Sequence, residues 1–137
     1  MTEVYVDVGA ACIEAGSPPT PSAPDPEAMR ALRHLADAGV RIVVVRPNGI
    51  EPGGELRAVA DEVVAAVPER PRAPAWYLTS DIERCRGSSA RLRTVLIGGV
   101  PPSGSVRRCD TVARDVQAAA LEILAAEAMS PRRTSAS

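Results

Sequence analysis

The chain has 137 residues, enough for one domain with a real core and too few for a catalytic domain plus a separate substrate domain. Its 16 basic and 17 acidic residues leave a net charge of -1, which excludes a general electrostatic attraction to nucleic acid or to an anionic membrane. Hydrophobic residues make up 45%, but only Tyr5, Trp76 and Tyr77 are aromatic and Phe is absent, so the core must be built from Val, Leu, Ile and Ala.

Every strong base is arginine, so chemistry that needs a lysine amine is excluded as well. Cys12, Cys85 and Cys109 are odd in number and lack CxxC spacing or a nearby His. That pattern argues against a zinc site or a disulfide framework and for a reducing, cytoplasmic setting. Glu3 near the start, no long apolar leader and no run approaching about 18 apolar residues predict a soluble protein.

The first predicted element is the strand Val4-Tyr5-Val6-Asp7-Val8-Gly9-Ala10, a β-branched run with one carboxylate near its end. Such a run suits a strand buried on both faces of a parallel sheet. An acid at its C-terminal end sits where open α/β sheets place ligands, which makes Asp7 the leading candidate for chemistry. The plainer reading, an Asp that ends the strand or caps a turn, has equal weight at this point.

Residues 16–26 carry Pro18, Pro19, Pro21, Pro24 and Pro26, a loop composition that opposes regular hydrogen bonding. Asp25-Pro26-Glu27 then reads as N-cap, first helical position and dipole-favoured acid. A helix is predicted from there to about Ala38, with Met29, Leu32, Leu35 and Ala36 inward and Gly39 as its stop. Arg41 to Val45 is a second buried strand, parallel to the first by a right-handed crossover. After the Pro47-Asn48-Gly49 turn, Leu56, Val59, Ala60, Val63 and Val67 keep helical spacing up to Pro68.

Ala75 to Thr79 is a third strand that delivers Ser80 and Asp81, and a short helix is expected over Ile82 to Arg91. Arg93 to Ile97 makes a fourth strand, stopped by Gly98-Gly99. Asp110 is expected to cap a final helix to about Met129, with Val112, Val116, Ala120, Ile123 and Leu124 on one face. Residues 130–137 read as a disordered tail after a single domain over 1–129. The alternation predicts a three-layer α/β sandwich with a four- or five-stranded parallel sheet. Asp7, Arg46 and Ser80-Asp81 should meet at the C-terminal ends of its strands.

This order of parts resembles the haloacid dehalogenase superfamily, most of whose members are phosphohydrolases or phosphotransferases. The Asp7 strand, the helix leading into Gly39-Val40-Arg41-Ile42-Val43-Val44-Val45, Tyr77-Leu78-Thr79-Ser80-Asp81 and Leu92-Arg93-Thr94-Val95-Leu96-Ile97-Gly98-Gly99 all stand in family order. Cys109-Asp110-Thr111-Val112-Ala113-Arg114-Asp115 also resembles the approach to that family's last helix. The resemblance implies a capless Rossmannoid core with the strands ordered four, three, one, two.

It also implies a set of site residues. The family's Asp-x-Asp pairs a nucleophile with a general acid and base; Asp7 matches the first, and Gly9 stands at the second with no side chain to donate. A magnesium ion would be held by Asp7, the Gly9 carbonyl and Asp81. The later Gly-Asp-x-x-x-Asp motif reads Ser80-Asp81-Ile82-Glu83-Arg84-Cys85 here, so one of its acids is gone. Arg46 replaces the family's phosphate-binding Ser or Thr, with Asn48 beside it as a second substrate-binding candidate. Arg46 either binds an anionic ligand or pairs with Asp7 or Asp81.

Two functions follow from the resemblance. One is a degenerate, non-catalytic or weakly active descendant that binds a small phosphorylated molecule, a protein partner or a second copy. The other is a magnesium-dependent phosphatase acting on a small phosphate ester through an aspartyl-phosphate at Asp7. His34, Cys85 and Cys109 read as structural residues in both.

Overall fold

The computed structural model describes residues 2–10, 12–13, 23–46, 54–68, 74–80, 92–98 and 111–129. The central strand is β1 (Glu3–Asp7), followed by a 3-10 turn at Val8–Ala10. The extended run thus ends at the carboxylate, three residues earlier than its composition suggests. Next come β2 (Cys12–Ile13) and β3 (Ala23–Pro24), which pair antiparallel as a separate two-stranded unit. Pro24 therefore lies within a short ladder, where a pure loop was expected.

Helix α1 (Pro26–Asp37) forms as its punctuation dictates. The Asp25 side chain accepts from the Glu27 N–H at 3.2 Å, Pro26 occupies the first turn, and Gly39 turns the chain with φ +91°. Its buried face is Ala28, Met29, Ala31, Leu32 and Leu35. Strand β4 (Arg41–Val45) pairs parallel with β1, Asp7 standing opposite Val45.

The next stretch departs from expectation. Helix α2 spans only Gly54–Val59, and the chain then enters β5 (Glu62–Val64), an edge strand parallel to β4. Asp61 makes the switch: its N–H donates to the Ile42 carbonyl at 2.7 Å, and its carboxylate accepts from the Ile42 N–H at 2.9 Å. These bonds to a neighbouring strand outcompete the helical spacing of Val59, Val63 and Val67.

Strands β6 (Ala75–Thr79) and β7 (Leu92–Ile97) complete the expected set, and β8 (Thr111–Ala113) adds a second short edge. The six-stranded order is β5-β4-β1-β6-β7-β8, parallel throughout. The four central strands stand as predicted, and each edge carries one strand more. The last helix, α3 (Val116–Met129), starts later than expected. Asp115 caps it by accepting from the Ala118 N–H at 2.8 Å, while the backbone next to Asp110 is extended.

Both sheet faces are covered. On one, Val4, Val6, Ile42, Val44, Leu78 and Val95 pack with α1, Leu56 of α2 and α3. Trp76 lies on this face, with the Arg93 guanidinium 5.3 Å from its ring centre. The other face buries Tyr5, Val43, Val45, Ala75, Tyr77 and Leu92, with Val67 against them. Among the described residues no helix is long and apolar enough to cross a membrane.

At the N-terminal ends of the strands, Arg41 donates to Glu62 and lies 3.8 Å from Glu3, which accepts from the Tyr5 hydroxyl at 3.0 Å. Burial, then the bond to Glu3, pushes the Tyr5 phenol from 10.0 up to about 12. An acid with a raised folded value stabilises fully below its unfolded value and loses that contribution as pH climbs through the folded one. Stability should therefore fall between pH 10.0 and about 12 in the native protein and fall less in Tyr5→Phe, measured by denaturant unfolding at each pH.

Candidate active site

Parallel strands send their C-terminal ends to one side, and Asp7 closes β1 there between β4 and β6. Its side chain alternates to the same face as Tyr5, and the register sets Tyr5 beside Tyr77. Asp7 is therefore diagonal to Tyr77 and abreast of Thr79. The Tyr77 hydroxyl donates to Asp7 Oδ1 at 2.7 Å, and the Thr79 hydroxyl donates to Oδ2 at 2.6 Å. Asp7 is 4% exposed, and both donors are buried.

Short O–H···O⁻ bonds to each oxygen compensate the burial of the carboxylate charge and fix its plane. They also draw electron density from the lone pairs with which a nucleophile would attack. Both hydroxyls come from the neighbouring strand β6.

Two residues on, Gly9 is exposed in the 3-10 turn. Among the described residues, a Cβ built on Gly9 would meet the Ser80 Oγ at 3.6 Å, an ordinary contact. The backbone there does not need glycine either, since the positive-φ glycines are Gly39 and Gly98. A Cβ at this position thus has room among the described residues.

Of the other expected site residues, Arg46 follows β4 directly, half-buried, with its N–H donating to the Val64 carbonyl at 2.9 Å. Its backbone continues the β4–β5 ladder one residue past the partner of Asp7. Asn48 and Asp81 lie outside the described residues, as do the helix expected over Ile82 to Arg91, Cys85, Cys109 and the tail. Among the described residues no three His, Cys, Asp or Glu side chains gather to hold a metal ion. Asp7 and the Gly9 carbonyl alone do not make an octahedral site.

Sequence reading missed Tyr77 and Thr79, which looked like core residues of a central strand. The signal was present: with the third strand beside the first, the period of two puts Tyr77, Thr79 and Asp7 on one face.

A central β1 with the crossover helix α1, the order β5-β4-β1-β6-β7-β8 and an acid at the end of β1 define a haloacid dehalogenase-like fold. A solved structure of D,D-heptose 1,7-bisphosphate phosphatase from Burkholderia thailandensis is similar over 90% of this chain and 99% of its own, with TM-score 0.61 and 19% identity. The corresponding phosphatase from B. bronchiseptica, complexed with magnesium and phosphate, is similar over 91% and 99%, with TM-score 0.52 and 14% identity. No protein-family model and no curated protein matches the sequence.

Proposed function

We propose that this chain is a haloacid dehalogenase-like protein with an incomplete phosphohydrolase site, weakly active or inactive, that acts by binding. The observation that carries this reading is the engagement of both Asp7 oxygens by Tyr77 and Thr79. A buried, doubly hydrogen-bonded carboxylate suits a strut between β1 and β6 better than an attacking group. Gly9 adds to it, because the loss of a positioned acid–base group typically costs about 100- to 10,000-fold in rate.

The ligand class this reading favours is a small phosphorylated molecule, with Arg46 and Asn48 as the groups that would meet its anion. A protein partner or a second copy is the other class it allows, and the cysteine pattern favours a cytoplasmic setting. Phosphatase assays with magnesium on a panel of small phosphate esters test the proposal. The expected result is no turnover that depends on Asp7, so that native protein and Asp7→Asn give the same background. Turnover in the native protein that Asp7→Asn abolishes would overturn it.

The alternative, a magnesium-dependent phosphatase with Asp7 as nucleophile, draws support from a specific likeness: two structural neighbours are phosphatases, and one of them is complexed with magnesium and phosphate. In that case Asp7, the Gly9 carbonyl and Asp81 would hold the ion, which would neutralise charge on the phosphoryl group. The same assay separates the two.

A further inference from the structure

Helix α3 has only Gln117, Glu122 and Glu127 as polar residues in 14, too few to form a polar face. Its inner side, Val116, Ala119, Ala120 and Ile123, is spent on the core. On the outer side Leu121 is 63% exposed and Met129 84%, with exposed Ala125 and Ala128 between them. Among the described residues these two are joined by just one other exposed large hydrophobic, Val112. Leu121 and Leu124 also line a cleft against α1, together with Gln117 of α3 and Glu27, Arg30 and His34 of α1.

The borders of this apolar strip differ in charge. On the α1 side stand Arg30 and His34, Glu27 lying a turn further toward the N-terminus of α1. On the far side, by helical rotation from Leu121, stands the exposed Glu122. A two-fold axis parallel to α3 exchanges the two borders. It sets Leu121 against Leu121 of a second molecule and brings Arg30 of each opposite Glu122 of the other, an isologous and charge-complementary match.

We propose that the outer face of α3 is a self-association surface, its occupant a second copy of this chain docked in that parallel two-fold arrangement. The inference is independent of whether the Asp7 site is active.

Sedimentation velocity on the full chain, from micromolar to submillimolar concentration, tests it. The expected result is a concentration-dependent dimer that Leu121→Asp weakens by about tenfold or more. Circular dichroism should remain native, because Leu121 is already largely in water. Glu122→Arg should weaken the dimer, and adding Arg30→Glu should recover it. A chain that stays monomeric throughout, as when a different protein covers this face, would overturn the proposal. So would a dimer unchanged by Leu121→Asp, or a charge swap that fails to recover association.

Discussion

Asp7→Ala is expected to lower the unfolding free energy by about 3–5 kcal/mol, as much as a large core truncation, although Asp7 is polar. The substitution removes two hydrogen bonds to a charged group, each worth about 1.5–3 kcal/mol, and leaves the Tyr77 and Thr79 hydroxyls buried near a void. Asp7→Asn should cost much less, about 1 kcal/mol, because one hydroxyl still donates to the amide oxygen and the other can turn to accept from the amide nitrogen. Tyr77→Phe should fall between, and combined with Asp7→Ala it should add little, since both delete the same bond. Chemical denaturation of these four variants beside the native protein checks this. If Asp7→Ala is neutral or stabilising, Asp7 is held under strain for chemistry and the strut reading fails.

Gly9→Asp is the second substitution from which a large effect is expected, here on activity. The Cβ has room beside Ser80, and the backbone is open to any residue, so the melting temperature should change by no more than a few degrees. With magnesium present, turnover of a small phosphate ester should rise by about 100-fold over the native background, the lower end of what positioned acid–base help supplies. The gain should vanish in Gly9→Asp with Asp7→Asn. If Gly9→Asp gains nothing while its combination with Tyr77→Phe does, the hydroxyl bond to Asp7 is the dominant block.

The elements legible in the sequence were those with punctuation. Asp25-Pro26-Glu27 and Gly39 bounded α1 to within a residue, and the β-branched runs of β1, β4 and β7 admitted no other reading. The errors share a physical cause. Val59, Val63 and Val67 fit a helix face, but Glu62-Val63-Val64 also fits a strand, and bonds from Asp61 to Ile42 on another strand decide between them. Asp110 and Asp115 are both plausible caps five residues apart, and pairing of Thr111–Ala113 with β7 selects the second. Short segments are decided by partners that local sequence does not name.

The site divides in the same way. Asp7 and Gly9 were visible because their positions along one strand suffice to place them. Tyr77 and Thr79 required the neighbour relation between β1 and β6 as well as the alternation of side chains. Asp7 alone reads as a reactive acid, whereas Asp7 with its two hydroxyl donors reads as part of the packing of the sheet.

The two edge strands carry a consequence for behaviour at high concentration. Glu62–Val64 and Thr111–Ala113 offer only three residues each, and the first sets exposed Glu62 beside Arg41. Unpaired edges are the templates on which sheets grow from molecule to molecule into fibrils, and edges this short with a charge upon them are poor templates. The long hydrophobic strands most prone to such growth, β1, β4, β6 and β7, are enclosed between these edges, so fibril growth from the folded state requires an edge strand to detach first.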